Sequence, residues 1–443
     1  MSRWRPVRAV WLAAGLTLGL GGIGACSDKA ARAAETSSFV VEGLQVIFRH
    51  TPGRQHTAFG FYLGGGSTYI GNNQGGIEAL LFQAALLGTA TRSRQALQAR
   101  LASLGGHLEA FAGRDHSGLI GLAPNENFSS VWILFTDILV RPRLESEAIE
   151  WARRQIMASL ARMAEEPHRE VLEMAYDTYY KGHAYSMNPL GTVETLGRLT
   201  RNDLIQYYRE DMTKNRALLV IVGDLEVKEV TRMARKLARE VPRGPEMLLP
   251  TSSFDAGRSD ATLLRRSTPT HFIAGMFAGP RPGHIEYPPF MVALELLEMR
   301  LFEQLRSRRG LADDPRTWDG GHLANYGGIA FATTDPADAT KVVRSTIADL
   351  IAGPLEAGEV DAAKARVLTA QRMSGGSVVE QLAQLARWGI VAEDWRQLEQ
   401  FPPELEAVDA TDVQTAIRKY MRRIHWAALG PSRSLRKAVF IGR

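Results

Sequence analysis

Hydrophobic and polar positions alternate through FVVEGLQVIFRH (39–50) and AFGFYLGG (58–65), the period of strands with one face buried. Ile149, Ala152, Ile156, Leu160 and Met163 recur at helical spacing on a polar background, which predicts an amphipathic helix over 146–164, with Pro167 just beyond its end. A different pattern holds at Ile77, Ala79, Leu80, Leu81, Phe82, Ala84, Ala85, Leu86 and Leu87. A helix there is apolar nearly all round and belongs inside a core. Strands and helices in mixed order predict an α+β fold, with helices packed on one face of a mostly antiparallel sheet.

The pattern occurs twice. Gly105-Gly106-His107-Leu108 recurs as Gly320-Gly321-His322-Leu323, and HTAFGFYLGG (56–65) parallels HFIAGMFAGP (271–280), each at an offset of 215. Apolar runs at 117–124 and 327–334 follow in the same order, then helix-like segments at 128–153 and 339–366, in which Asp137 and Asp349 hold comparable places. A steady offset predicts tandem duplication. The expected organisation is two homologous domains, 38–240 and 262–443, joined by a Pro-, Gly- and Ser-rich linker over 241–261.

Composition agrees with this division. The 443 residues are too many for one core and suit two domains of roughly 200. A single Cys excludes an intramolecular disulfide and a Cys-based zinc site. The formal charge of +5 falls to about +2 once the three Arg of residues 1–25 are set aside, which gives no support to a nucleic-acid partner.

Those first residues read as an address. Arg3, Arg5 and Arg8 precede an uncharged apolar run from Ala9 to Ala25, short for a membrane span. Ile-Gly-Ala before Cys26 resembles the lipobox of a bacterial lipoprotein, in which residues 1–25 are removed and Cys26 carries the lipid. A secretory signal with a chance Cys, or an uncleaved anchor, is the alternative. Residues 26–37 read as a polar tether. The expected location is the bacterial cell envelope, lipid-anchored on the periplasmic face, with Ser27 favouring the outer membrane over the inner.

Five segments carry a family resemblance. They are GGIEALLFQAALLGTATRS (75–93), LASLGGHLEAFAGRDHSGL (101–119), HAYSMNPLGTVETLGRLTRNDLIQYYRE (183–210), ALLVIVGDL (217–225) and RLFEQLRSRRGLA (300–312). In order and spacing they resemble the pitrilysin/insulinase-type zinc metallopeptidases, the inverzincins. In that family two His at i and i+4 of a helix and a distant Glu bind zinc, and a Glu between the His residues activates the bound water. With Gly76 and Gly88-Thr89 as anchors, these positions fall on Ala79, Phe82, Gln83 and Ser159. All four are degenerate. The ten His (50, 56, 107, 116, 168, 183, 271, 284, 322 and 425) include no two that are three, four or five apart, so no helical His pair exists in any register. No metal and no cofactor is expected, although the family implies zinc.

The resemblance also implies a substrate-facing edge strand at Glu109, Ala110, Phe111 and Ala112, where members of the family pair with extended peptide. Arg306 stands where a complementing subunit supplies an Arg, but the Tyr expected seven residues on is Asp313, and Tyr326 is the nearest Tyr. Glu78 reads as an acid favoured at a helix N-terminus rather than as a displaced base. His107 and His116, beside Glu109 and Asp115, read as hydrogen-bonded polar spots on a strand rather than a metal site. Trp151 with Arg153 and Arg154 reads as a packed helix face, and 232–240 as a solvated basic one.

The implied function is that of a catalytically inactive family member, acting as a partner, scaffold or peptide-binding subunit. The alternative is the non-zinc-binding subunit of a heterodimeric zinc metalloendopeptidase, completed by a sister chain that carries HxxEH.

Overall fold

The computed structural model describes residues 34–245, 254–431 and 435–441. Residues 1–33, where the expected signal, Cys26 and most of the expected tether fall, lie outside the described residues. The first half builds a sheet from β1 (Glu35–Val41), β2 (Leu44–His50), β3 (His56–Gly64), β4 (His107–Ala112), β5 (His116–Pro124) and β6 (Ala217–Gly223), in the order β1-β2-β6-β3-β5-β4. The second builds one from β7 (Ala261–Arg265), β8 (His271–Ala278), β9 (Arg316–Asp319), β10 (Tyr326–Thr333) and β11 (His425–Gly430), in the order β7-β11-β8-β10-β9. Both are antiparallel except for one parallel pair each, β2 with β6 and β7 with β11. The duplication is therefore real in topology as well as in sequence.

Several boundaries differ from expectation. The alternating segment 39–50 is a hairpin rather than one strand. Glu42 and Gly43 both have positive φ, 52° and 85°, the geometry of a tight two-residue turn between right-twisted strands. β1 begins at Glu35, so Glu35, Thr36 and Ser37 belong to a strand and not to the tether, and Ala261 opens β7 rather than closing the linker. The segment 128–153 breaks at Pro142, giving two helices in place of one.

Among the helices that frame the two sheets and the seam between them are α1 (Ile77–Ala85), α2 (Phe128–Val140), α3 (Ser146–Glu165), α4 (Pro167–Tyr179), α5 (Arg201–Asp211), α6 (Tyr287–Leu301), α7 (Pro336–Ala352) and α8 (Val378–Val391). α3 matches the predicted amphipathic helix, with Ile149, Ala152 and Ile156 buried. Pro167 starts α4, where its missing N–H costs nothing.

On the first sheet Val46, Phe48, Phe59, Phe61, Leu219 and Ile221 share a core with α1, α2, α3 and α5 of the same half. The opposite face, with Ile47, Tyr62, Leu218 and Val220, shares a core with the second half. There α8 packs across β3 and β6. Gly389 is a point of close approach, since a Cβ at that residue would lie 2.9 Å from Ile47 Cδ1. The exchange is reciprocal: α4 of the first half packs on β8 and β11 of the second, with Val171, Ala175 and Tyr179 buried against Ala274, Met276, Ala427 and Leu429. Each sheet thus has its own helices on one face and a helix lent by the other half on the second.

The Gly-Gly-His-Leu repeat does not survive in the fold. Gly105-Gly106 lead into β4, whereas Gly320-Gly321 follow β9 and lead to β10. The other repeated pairs hold: 56–65 and 271–280 contain β3 and β8, and the backbone carbonyls of Asp137 and Asp349 each accept the N–H that caps the end of α2 or α7.

Candidate functional site

The expected metal helix forms where the sequence places it. α1 begins after Gly76, and its residues Ile77 to Phe82, with Ala84 and Ala85, are all buried. It packs against α3 and against β4. The Gly88-Thr89 segment beyond it is tied to α2 through Asp137, whose Oδ2 accepts from the hydroxyls of Thr89 at 2.6 Å and Thr91 at 2.7 Å.

The side chains on this frame do not fit zinc. Ala79 offers no donor atom and is 6% exposed, and Phe82 is a core residue at 1%. Gln83 is half-buried. Ser159 Oγ donates to the Gln155 carbonyl at 3.0 Å and accepts from Arg162 at 2.9 Å. Among the described residues no group of three His, Cys, Asp or Glu is placed to hold a metal ion. Burying Phe82 stabilises the helix by about 1.5–3 kcal/mol, where a metal-binding relative would keep a polar, hydrated pocket.

Next to these positions lies a charge network that sequence reasoning understated. Glu78 sits in the first turn of α1, as expected, but its side chain is fully buried. Its Oε1 accepts from the Tyr207 hydroxyl at 2.6 Å and from Arg216 Nη2 at 3.0 Å, while Oε2 has no partner. Arg216 also donates to the Gly64 carbonyl at 2.9 Å and lies 3.5 Å over the ring of Tyr69. Burial, and then the Glu78 carboxylate, push the Tyr207 phenol far above its usual value, so it serves as a donor. The network joins α1, α5 and Arg216, the residue before β6, and Glu78 is bound up in structure rather than poised as a base.

The expected substrate strand, β4, is the outermost strand of its sheet and, among the described residues, pairs with β5 alone. Glu109 is exposed, 3.8 Å from His107, and its carboxylate raises the His107 imidazole above its ordinary value. Ala110 and Ala112 are half-buried. Phe111 points the other way, its ring 5.3 Å from that of Tyr62 and 5.7 Å from that of His116. Arg306, half-exposed in a π-helical turn over Phe302–Ser307, donates to Asp313, the residue that stands in place of Tyr. Tyr326 does not replace that Tyr: it is 2% exposed and bonded to Tyr176 and Trp318. Trp151 is accounted for by Arg94, stacked 4.1 Å above its ring.

The polar pair Asp115 and His116 is part of a cluster between the halves. The Tyr185 hydroxyl and His322 Nδ1–H both donate to the Asp115 carboxylate. Burial alone would raise this carboxyl, but His322 and Tyr185 more than offset it and hold it below the usual carboxylate range. His116 is half-buried, but its Nδ1 is enclosed with no partner among the described residues, and this desolvation pushes its imidazole down to about 4. The sequence carried His322 only as part of a repeat. The available signal was two ionisable residues, Asp115 and His116, at the head of an apolar strand.

Two family models match the chain: Insulinase (Peptidase family M16) over residues 45–193 and Peptidase M16 inactive domain over 198–367. The mitochondrial-processing peptidase subunit beta of Neurospora crassa is 28% identical over 45% of this chain, and the match spans 42% of that protein. An uncharacterized zinc protease of Bacillus subtilis is 19% identical over 87% of this chain and 96% of its own length. Among solved structures, an M16 inactive domain from Pseudomonas fluorescens superposes with a TM-score of 0.83 at 16% identity, covering 91% of this chain and 99% of that one. A chain of Complex III2 from Candida albicans does so at 0.78 and 16%, covering 92% and 99%. A two-sheet fold that matches M16 structures over nine-tenths of its length, with M16 models spanning 45–367, means that the chain belongs to the pitrilysin/insulinase family of peptidases, M16.

Proposed function

We propose that this chain is a catalytically inactive member of its family that works without zinc, as a lipid-anchored partner or peptide-binding subunit in the bacterial cell envelope. The observation that carries this reading is the state of α1. Ala79 and Phe82 occupy the positions of a ligand and a general base, and both are sunk in the core. A register error does not rescue the site, since the whole sequence has no His pair at helical spacing. Peptide binding is supported by the place of β4 as the outermost strand of its sheet, beside α1, since an edge strand is where an extended peptide is added. The lipobox-like sequence before Cys26 supports the anchor.

The second reading, a non-zinc subunit completing the site of a sister chain that carries HxxEH, is favoured by relatives named as subunits. Against it stands the ion pair that engages Arg306 with Asp313. One preparation separates the two readings: the lipidated protein purified from membranes, with bound zinc, peptidase turnover and companions measured together. No zinc and no turnover in the isolated chain support the first reading. A zinc-bearing companion whose turnover needs this chain supports the second. One zinc per isolated chain, with turnover abolished by a chelator, would falsify both.

A further inference from the structure

Strand β4 ends at Ala112 and turns back through Gly113, Arg114 and Asp115 into β5. The tip of that turn is held by the opposite half. Asp115 accepts from the imidazole of His322, 207 positions away, and from the Leu323 amide at 3.3 Å. The other ring nitrogen of His322 lies 3.4 Å from the Tyr176 hydroxyl, which is 2.6 Å from that of Tyr326. Arg114, next to Asp115, reaches the Tyr185 carbonyl at 2.9 Å and lies 3.5 Å over the ring of Tyr176. The turn that closes the edge strand is thus tied directly to the 320–325 connection of the second half.

We propose that Asp115 and His322 form a clamp between the two halves, fixing where the edge strand β4 stands relative to the second half and making both positioning residues for any extended chain that β4 accepts. The binding part rests on the peptide-binding reading above; the clamp itself does not. The physical basis is the cost of release: parting this buried carboxylate from the imidazole and the Leu323 amide leaves it with the Tyr185 hydroxyl and no charged partner in a low-dielectric seam. While the pair is made, the turn and the 320–325 connection move together. When it is broken, the outermost strand keeps its ladder to β5 and its packing on α1 but loses its tie to the second half.

The test is hydrogen exchange on the full mature chain and on Asp115→Asn, His322→Ala and their double variant, with His322→Asn as the conservative replacement that keeps a donor. Segments 107–116 and 320–326 are expected to exchange at least ~10-fold faster in both single variants and no faster in the double, while β3 and β8 stay protected and report an intact fold. His322→Asn is expected to recover most of the protection. Unchanged exchange in the single variants, additive effects, or His322→Asn no better than His322→Ala would overturn the clamp. Binding of reduced, carboxymethylated α-lactalbumin, an extended polypeptide probe, is followed in parallel and is expected to weaken several-fold in Asp115→Asn and His322→Ala. Undiminished binding in both defeats the positioning role. If the wild-type chain ignores the probe while the exchange pattern holds, the peptide reading falls and the clamp stands.

Discussion

Glu78 and Arg216 lie 3.0 Å apart with side chains 0% and 3% exposed, a buried ion pair one residue before Ala79. Removing one partner of such a pair strands the other charge in the core. Arg216→Met is expected to lower the unfolding free energy by about 3–5 kcal/mol. Pairing it with Glu78→Leu should recover much of that loss. Urea unfolding of the three proteins checks both statements, and a single variant within ~1 kcal/mol of wild type would show that the charge is not sealed from water.

Phe82 tests whether the vacated site is solid. Its side chain is almost wholly buried, so Phe82→Ala should cost about 3–5 kcal/mol through lost burial and the cavity left behind. Gln83→His, at a half-buried position, should stay within ~1 kcal/mol of wild type. A small loss for Phe82→Ala would mean that α1 borders an open, hydrated cavity.

Stability should fall in acid because of His116. Its folded value of about 4 lies below the ~6.5 of an unfolded imidazole, so on acidification the unfolded chain takes up a proton that the folded one refuses. Stability is lost as pH drops from ~6.5 toward 4 and levels off below, a loss of roughly 3 kcal/mol. Asp115, held below its ordinary value, adds a further loss only at lower pH, as the folded carboxyl itself protonates. His116→Phe keeps a ring against Tyr62 and Phe111 and should flatten the curve between pH 6.5 and 4. Equal slopes in the two proteins, measured by urea unfolding at pH 7, 5.5 and 4, contradict the assignment.

Arg306 and Asp313 are both substantially exposed, and exposed pairs contribute little. Arg306→Ala should shift stability by no more than ~0.5 kcal/mol. With Asp313 engaging the guanidinium, the same change should leave binding of an extended polypeptide unaltered. A loss of binding without a loss of stability would return Arg306 to the binding surface.

Much of this molecule was legible along the chain. The spacing from Ile149 to Met163 set α3 almost to its ends, and the apolar circumference of 77–87 marked α1 as buried. That Ala79 and Phe82 offer no ligand atom needed no structure, because a methyl or a phenyl group has no lone pair, and Gln83 and Ser159 bring neither imidazole nor carboxylate. The Gly-Gly-His-Leu repeat misled, since four matching residues on either side of a sheet edge can serve different turns.

What the sequence determined by itself was local: which faces turn inward, where helices start and stop, and that no two His stand at helical spacing. Only the tertiary structure decided what those faces meet. It lent α4 and α8 to opposite sheets, enclosed Glu78 with Arg216 and Tyr207, and brought Asp115 to His322. Periodicity reports that a side chain is removed from water, but not by which partner. Contacts between residues more than a hundred positions apart are settled by how the two halves close on one another.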